Sequence, residues 1–87
     1  MPAPLPLPEI HPNGSGQNSL LGQMVDAVNA LKLAADAMRE SYPHMRDYYT
    51  LDPAIHSEAF KQHQDRISRI ESLIEEYESI AVAIASL

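Results

Sequence analysis

From Ala54 to Leu87 the chain runs for 34 residues without a glycine or a proline. Within that run Phe60, His63, Ile67, Ile70, Ile74, Tyr77, Ala81 and Ile84 recur at steps of three and four, the spacing that lines one face of a 3.6-residue helix. Asp52-Pro53 stands in front of it in the order that starts helices well, with Asp as N-cap and Pro at the first helical position. One long helix is therefore predicted over about 53–86. A second row, Leu73, Ile80 and Leu87, lies beside the first and widens the apolar face over the last four turns. A simple two-helix seam would not require that row.

A helix with one long apolar stripe needs something to lie against, and the sequence supplies it upstream. Leu21, Met24, Val28, Leu31, Ala35, Met38 and Tyr42 again step by three and four, after Ser19 as a plausible N-cap and before Pro43 as a stop. The residues between are good helix formers, including Ala27, Ala30, Lys32, Ala34, Arg39 and Glu40. The connection Pro43–Leu51 is short, so the two stripes can meet only if the chain doubles back. The expected fold class is all-α, a two-helix antiparallel hairpin (about 19–42 and 53–86) with an extended Pro-rich N-terminal arm.

The arm reads differently from the rest. Prolines at 2, 4, 6, 8 and 12 remove backbone donors and push each preceding residue toward extended conformations. Asn13-Gly14-Ser15-Gly16 then reads as a joint. The chain thus divides into residues 1–18, arm and joint, and residues 19–87, the hairpin. Leu5, Leu7 and Ile10 are apolar residues that a merely solvating tail would not need, which makes a docking arm the alternative to a disordered one.

Composition removes several function classes. The chain has no cysteine, so disulfides, thiolate metal sites and cysteine nucleophiles are out, and the redox compartment stays open. Six Lys and Arg against twelve Asp and Glu give a net charge of −6, the wrong sign for tracking phosphates, so no nucleic-acid partner is expected. The proline-interrupted N-terminus lacks the pattern of a signal peptide, and the most apolar run, Ile80–Leu87, is far short of the ~20 residues that span a bilayer. A soluble protein with no membrane span is expected, in the cytoplasm or within a virion or secretion assembly.

Catalytic and ligand chemistry find little support. His56 and His63 are seven residues apart, not the three or four that a helical metal pair uses. His63 sits on the apolar stripe and reads as a hydrogen-bonded core or interface residue. Glu71, Glu75, Glu76 and Glu78 have no nucleophile, phosphate loop or pocket signal beside them. No catalytic, cofactor or metal residue is expected, and no enzyme. Tyr42-Pro-His-Met-Arg-Asp-Tyr-Tyr49 is the one aromatic-dense stretch. Tyr42, Arg46, Tyr48 and Tyr49 are candidates for a contact patch; they could equally cap the end of the hairpin, or stack on a nucleotide.

Helix lengths give the functional expectation. At 1.5 Å per residue the first helix is about 35 Å long and the second about 50 Å. A hairpin closing at 43–52 should then leave roughly the last ten residues of the second helix without a partner. Tyr77, Ile80, Val82, Ile84 and Leu87 would stand in water, so they join Leu5, Leu7 and Ile10 as candidate interface residues. Charge along the second helix is also segregated: Lys61, Arg66 and Arg69 lie in its first half with Glu58 and Asp65, and Glu71, Glu75, Glu76 and Glu78 in its second. Such segregation is ordinary for a solvated face; it would also favour a staggered contact between copies. In layout, residues 19–87 resemble the subunits of type III secretion needles, a short cysteine-free helix–loop–helix with an apolar C-terminus, although the double-proline turn of that family is absent. Small accessory proteins of phage particles are similar in kind. The function expected is a non-enzymatic structural subunit of a larger protein complex, of phage-virion or secretion-apparatus type, as a homo-oligomer. The alternative is a small soluble binding protein that inhibits or sequesters a target, as an adaptor, chaperone or phage anti-defence protein.

Overall fold

The computed structural model describes residues 6–87. It is all-helical: α1 spans Gln17–Glu40, a single 3₁₀ turn spans Met45–Asp47, and α2 spans Pro53–Ala85. The two α-helices pack against each other as the antiparallel hairpin that the two stripes require, an elongated body measuring 63 × 26 × 17 Å.

The seam is made of the periodic residues. Val28, Ala35, Ile67, Ile74 and Ile84 are buried, His63 is buried with them, and Leu31, Ile70 and Tyr77 pack against the Val28–Ala35–Ile74 cluster. One flank of the seam is closed by ion pairs between the helices, Lys32–Glu78 at 3.8 Å and Arg39–Glu71 at 3.4 Å. From Lys32 to Arg39 the chain advances seven residues while the partner on α2 recedes by seven. Two heptads in opposite directions therefore stay in register.

The helix ends differ from the expected ones for physical reasons. α1 begins at Gln17, with Gly16 as N-cap and no capping side chain, so Ser19 lies inside the helix and does not start it. The Gln17 side chain explains the earlier start. Its Nε2 donates to the carbonyls of Ile84, Ala85 and Leu87 at 2.8, 3.2 and 3.2 Å, joining the Leu87 N–H already on the Ile84 carbonyl, and so helps to satisfy the last turn of α2 and the residues just past it. α1 ends at Glu40 because Tyr42 precedes a proline and is disfavoured in the α region, and the Ser41 hydroxyl donates to the Met38 carbonyl at 2.7 Å. At the other boundary the sequence reading holds: the Asp52 carboxylate accepts from the Ala54 backbone N–H at 2.9 Å with Pro53 behind it. Asp52→Ala is expected to lower stability by about 1 kcal/mol, seen as a reduced urea midpoint at unchanged slope, whereas Asp52→Asn should stay near wild type.

The unpartnered C-terminal overhang expected of α2 is not found. α2 has 33 residues and α1 has 24, but Gln17 on the last carbonyls of α2 shows that the two helices finish flush at that end. The excess of α2 therefore lies at its beginning, beside the connection. His56 Nε2 donates to the Pro43 carbonyl at 2.9 Å, and the His56 ring lies 5.4 Å from Tyr48 and 6.3 Å from Phe60. The connection lies along the first turns of α2 and partners them. The apolar C-terminal turns are partnered by α1.

In the arm, the Gly14 N–H donates to the His11 carbonyl at 3.1 Å and closes a turn over Pro12-Asn13. The His11 ring folds over it, and a Cβ at residue 14 would stand 2.6 Å from that ring. Gly14 is the residue that allows the approach.

Candidate protein-contact surface

The candidate interface residues fall into four groups. Leu5 lies outside the described residues. Leu7 and Ile10 are about two-fifths exposed on the arm, so both remain available for contact. At the turn end, Tyr48 is half-buried against His56, while Tyr49 is 77 % exposed and Tyr42 and Arg46 are exposed. Tyr48 therefore fastens the connection, and Tyr49 has no such task. The Tyr42 ring rests 4.2 Å from His44. On the last turns of α2, Val82 and Leu87 are exposed, Ile80 is half-buried, and Tyr77 packs on the core. Ile84 is a correction: at 2 % exposure it is the most deeply buried large side chain described. It belongs to the fold, because the end of α2 has α1 for a partner.

The hairpin has two unlike flanks. One carries Lys32, Arg39, Glu71 and Glu78, with Val25 and Val82 beside the Lys32–Glu78 pair over a shallow groove. The other is a groove of about 450 Å³ lined by Leu31, Met38, Arg66, Arg69, Ile70 and Leu73. Helix geometry places Leu20, Ala27 and Ala34 of α1, and Ile80 of α2, on this second flank as well. A third groove, about 530 Å³, lies at the turn end between Tyr48 and the first turns of α2, with Asp52 and Glu58 on its rim. Asp52 is already engaged as the N-cap. Within the described residues no three His, Asp or Glu side chains gather in a way that could hold a metal ion. No described helix is long and apolar enough to cross a membrane.

His63 is buried in the seam where its place on the stripe put it, whereas the structural roles of His56 and His11 were not read from the sequence. His56 and His11 each stabilise a change of chain direction, and the signal was available in principle, since each lies near a proline-containing bend. Comparison of the chain with protein-family models, with curated proteins and with solved structures found no match.

Proposed function

We propose that this chain is a non-enzymatic subunit of a larger protein assembly, of virion or secretion-apparatus kind, that works by presenting apolar surface on a stiff helical rod. The observation that carries this reading is the imbalance between its inside and its outside. Five apolar side chains are buried, whereas thirteen large apolar ones stand exposed among the described residues. The accessible surface is 6542 Å², against the roughly 5,100 Å² expected of a compact monomer of this mass. Isolated exposed apolar residues are ordinary, but a chain with this little core gains much of its stability when such surface is covered.

The second reading, a soluble binder that inhibits or sequesters a target, is favoured by the turn end, where Met45, Tyr49, Leu51, Ile55 and Phe60 are all exposed on one end of the rod. Solution mass separates the two. A subunit is expected to gain mass with concentration, and the chain lacking residues 1–12 is expected to keep its helicity yet associate more weakly, because the described residues 6–12 lie outside both helices and the prolines at 2 and 4 disfavour helix. Sedimentation of both proteins over a hundredfold concentration range checks this. A full-length chain that stays monomeric throughout, and melts no later at high concentration than at low, would remove the assembly-subunit reading and leave the binder.

A further inference from the structure

We infer that the apolar flank lined by Leu31, Met38, Ile70 and Leu73 is the seat of a second copy of this chain, with the two hairpins packing face to face as a four-helix bundle about a twofold axis perpendicular to the helices near Leu73. This deepens the assembly reading above and rests on it.

Three observations lead here. The first is periodicity. Beside the seam residues each helix carries a second heptad row on this same side: Leu20, Ala27 and Ala34 on α1, and Leu73 and Ile80 on α2. A two-helix pair needs one row per helix, and a helix in a bundle needs the wider face. Both second rows fall on the flank opposite the Lys32–Glu78 and Arg39–Glu71 pairs, so one side of the hairpin is bridged by ion pairs and the other is a groove of apolar side chains edged by Arg66 and Arg69, with Leu73 40 % exposed at its centre. The small Ala27 and Ala34 let another helix come close.

The second is area. The surface beyond that of a compact monomer is about 1,400 Å². The arm carries part of it, and a standard interface takes about 800 Å² from each partner. The whole-chain excess is larger than one such contact takes, so covering a face of the rod brings the chain nearer to a compact surface.

The third is charge, and it selects the occupant and its direction. Arg69 edges the groove, held by an exposed i,i+4 pair to Asp65 at 3.1 Å that a partner carboxylate can share, and Glu76, seven residues on, lies on the same edge of α2. A second copy laid antiparallel, with Leu73 on the axis, sets Arg69 of one hairpin against Glu76 of the partner subunit, and the reverse pair follows by symmetry. Arg66 of each copy then lies toward the acidic half of the other. A parallel arrangement of the two α2 helices would instead face like charge with like along their whole length.

The test uses the symmetry. Arg69→Glu and Glu76→Arg, each alone in the full-length chain, are expected to raise the dimer dissociation constant on the order of tenfold, since both symmetric contacts become like-charged. Mixing the two single variants is expected to restore dimers as heterodimers, in which every contact is again of opposite sign. Leu73→Ser should weaken the dimer, and Val82→Ser, on the opposite flank, should leave its mass unchanged. Circular dichroism on each variant confirms that the hairpin is intact. If the mixture sediments no differently from its components, the antiparallel seat is wrong. If Val82→Ser and not Leu73→Ser weakens association, the flank is wrong while the assembly reading stands. A wild-type chain that never associates overturns both.

Discussion

Aspartate in place of Ile74 is expected to leave the chain unfolded at neutral pH. Ile74 is 8 % exposed, joins Val28 and Ala35 in the central cluster, and is flanked by Leu31, Ile70 and Tyr77. Removing its burial costs about 1.5–3 kcal/mol. Placing a carboxylate there without a partner costs several kcal/mol more, or forces the seam to open and admit water. Against this, a chain of 87 residues has roughly 4–13 kcal/mol of stability in hand at typical values per residue, and one with five buried apolar side chains among its described residues sits at the low end. Far-UV circular dichroism at 25 °C should therefore lose its helical minima. Leu33→Asp is the matched control: Leu33 is 72 % exposed, and the same change there should fall within about 0.5 kcal/mol of wild type. A melting temperature for Ile74→Asp within a few degrees of wild type would mean that the two stripes do not face each other.

That prediction rests on the part of the fold that was plain in the residues. The stripes of α1 and α2 could be read because their period, caps and stops all agreed, and the structure buries Val28, Ala35, Ile67 and Ile74 as the spacing implied. The misreadings share one cause, which is that tertiary contacts decided matters left open by local pattern. Ser19 is a better N-cap than Gly16 by composition, yet α1 starts earlier because Gln17 gains carbonyl partners 67 to 70 residues away. The comparison of helix lengths failed because it treated the connection as having no extent. In the structure residues 43–48 lie against α2 through Pro43 and Tyr48, so the unpartnered length vanishes from the far end. The pairing of Lys32 with Glu78 was likewise out of reach, since it depends on an axial register that periodicity alone does not set. Of the candidate surface, what was legible was that apolar residues exceed what one seam can cover. Which of them stay uncovered was not, and Ile84 and Val82, two residues apart, fell on opposite sides of that line.

Ile84→Ser is expected to destabilise the hairpin itself, and to do so in the monomer. The side chain is 2 % exposed, and its own carbonyl is one of three that the Gln17 amide caps, so packing and capping coincide at the place where α1 begins and α2 ends. Truncating a buried isoleucine to a small side chain typically costs about 2–5 kcal/mol, and the serine hydroxyl adds a polar group to be satisfied. In a domain of this size each kcal/mol moves the melting temperature by about 4–8 °C, so a fall of at least about 10 °C is expected. Val82→Ser, on the 68 % exposed neighbour, should move it by little. The decisive condition is dilution, to a concentration at which the wild-type chain sediments as a monomer. If Ile84 is held by α1 of its own chain, the loss persists there, and amide exchange quickens first near Gln17 and along the last turns of α2, while the Val28–Ile74 centre keeps its protection. Were the burial supplied by another subunit, wild type and variant would melt together once dissociated. Gln17→Ala gives the second measure: it removes the cap while leaving Ile84 in place, so it should speed exchange at the same two ends for a smaller loss, about 1 kcal/mol. Equal melting of wild type, Ile84→Ser and Gln17→Ala at that dilution would show that α1 and α2 do not finish flush. It would also return the apolar end of α2 to the surface that a partner must cover.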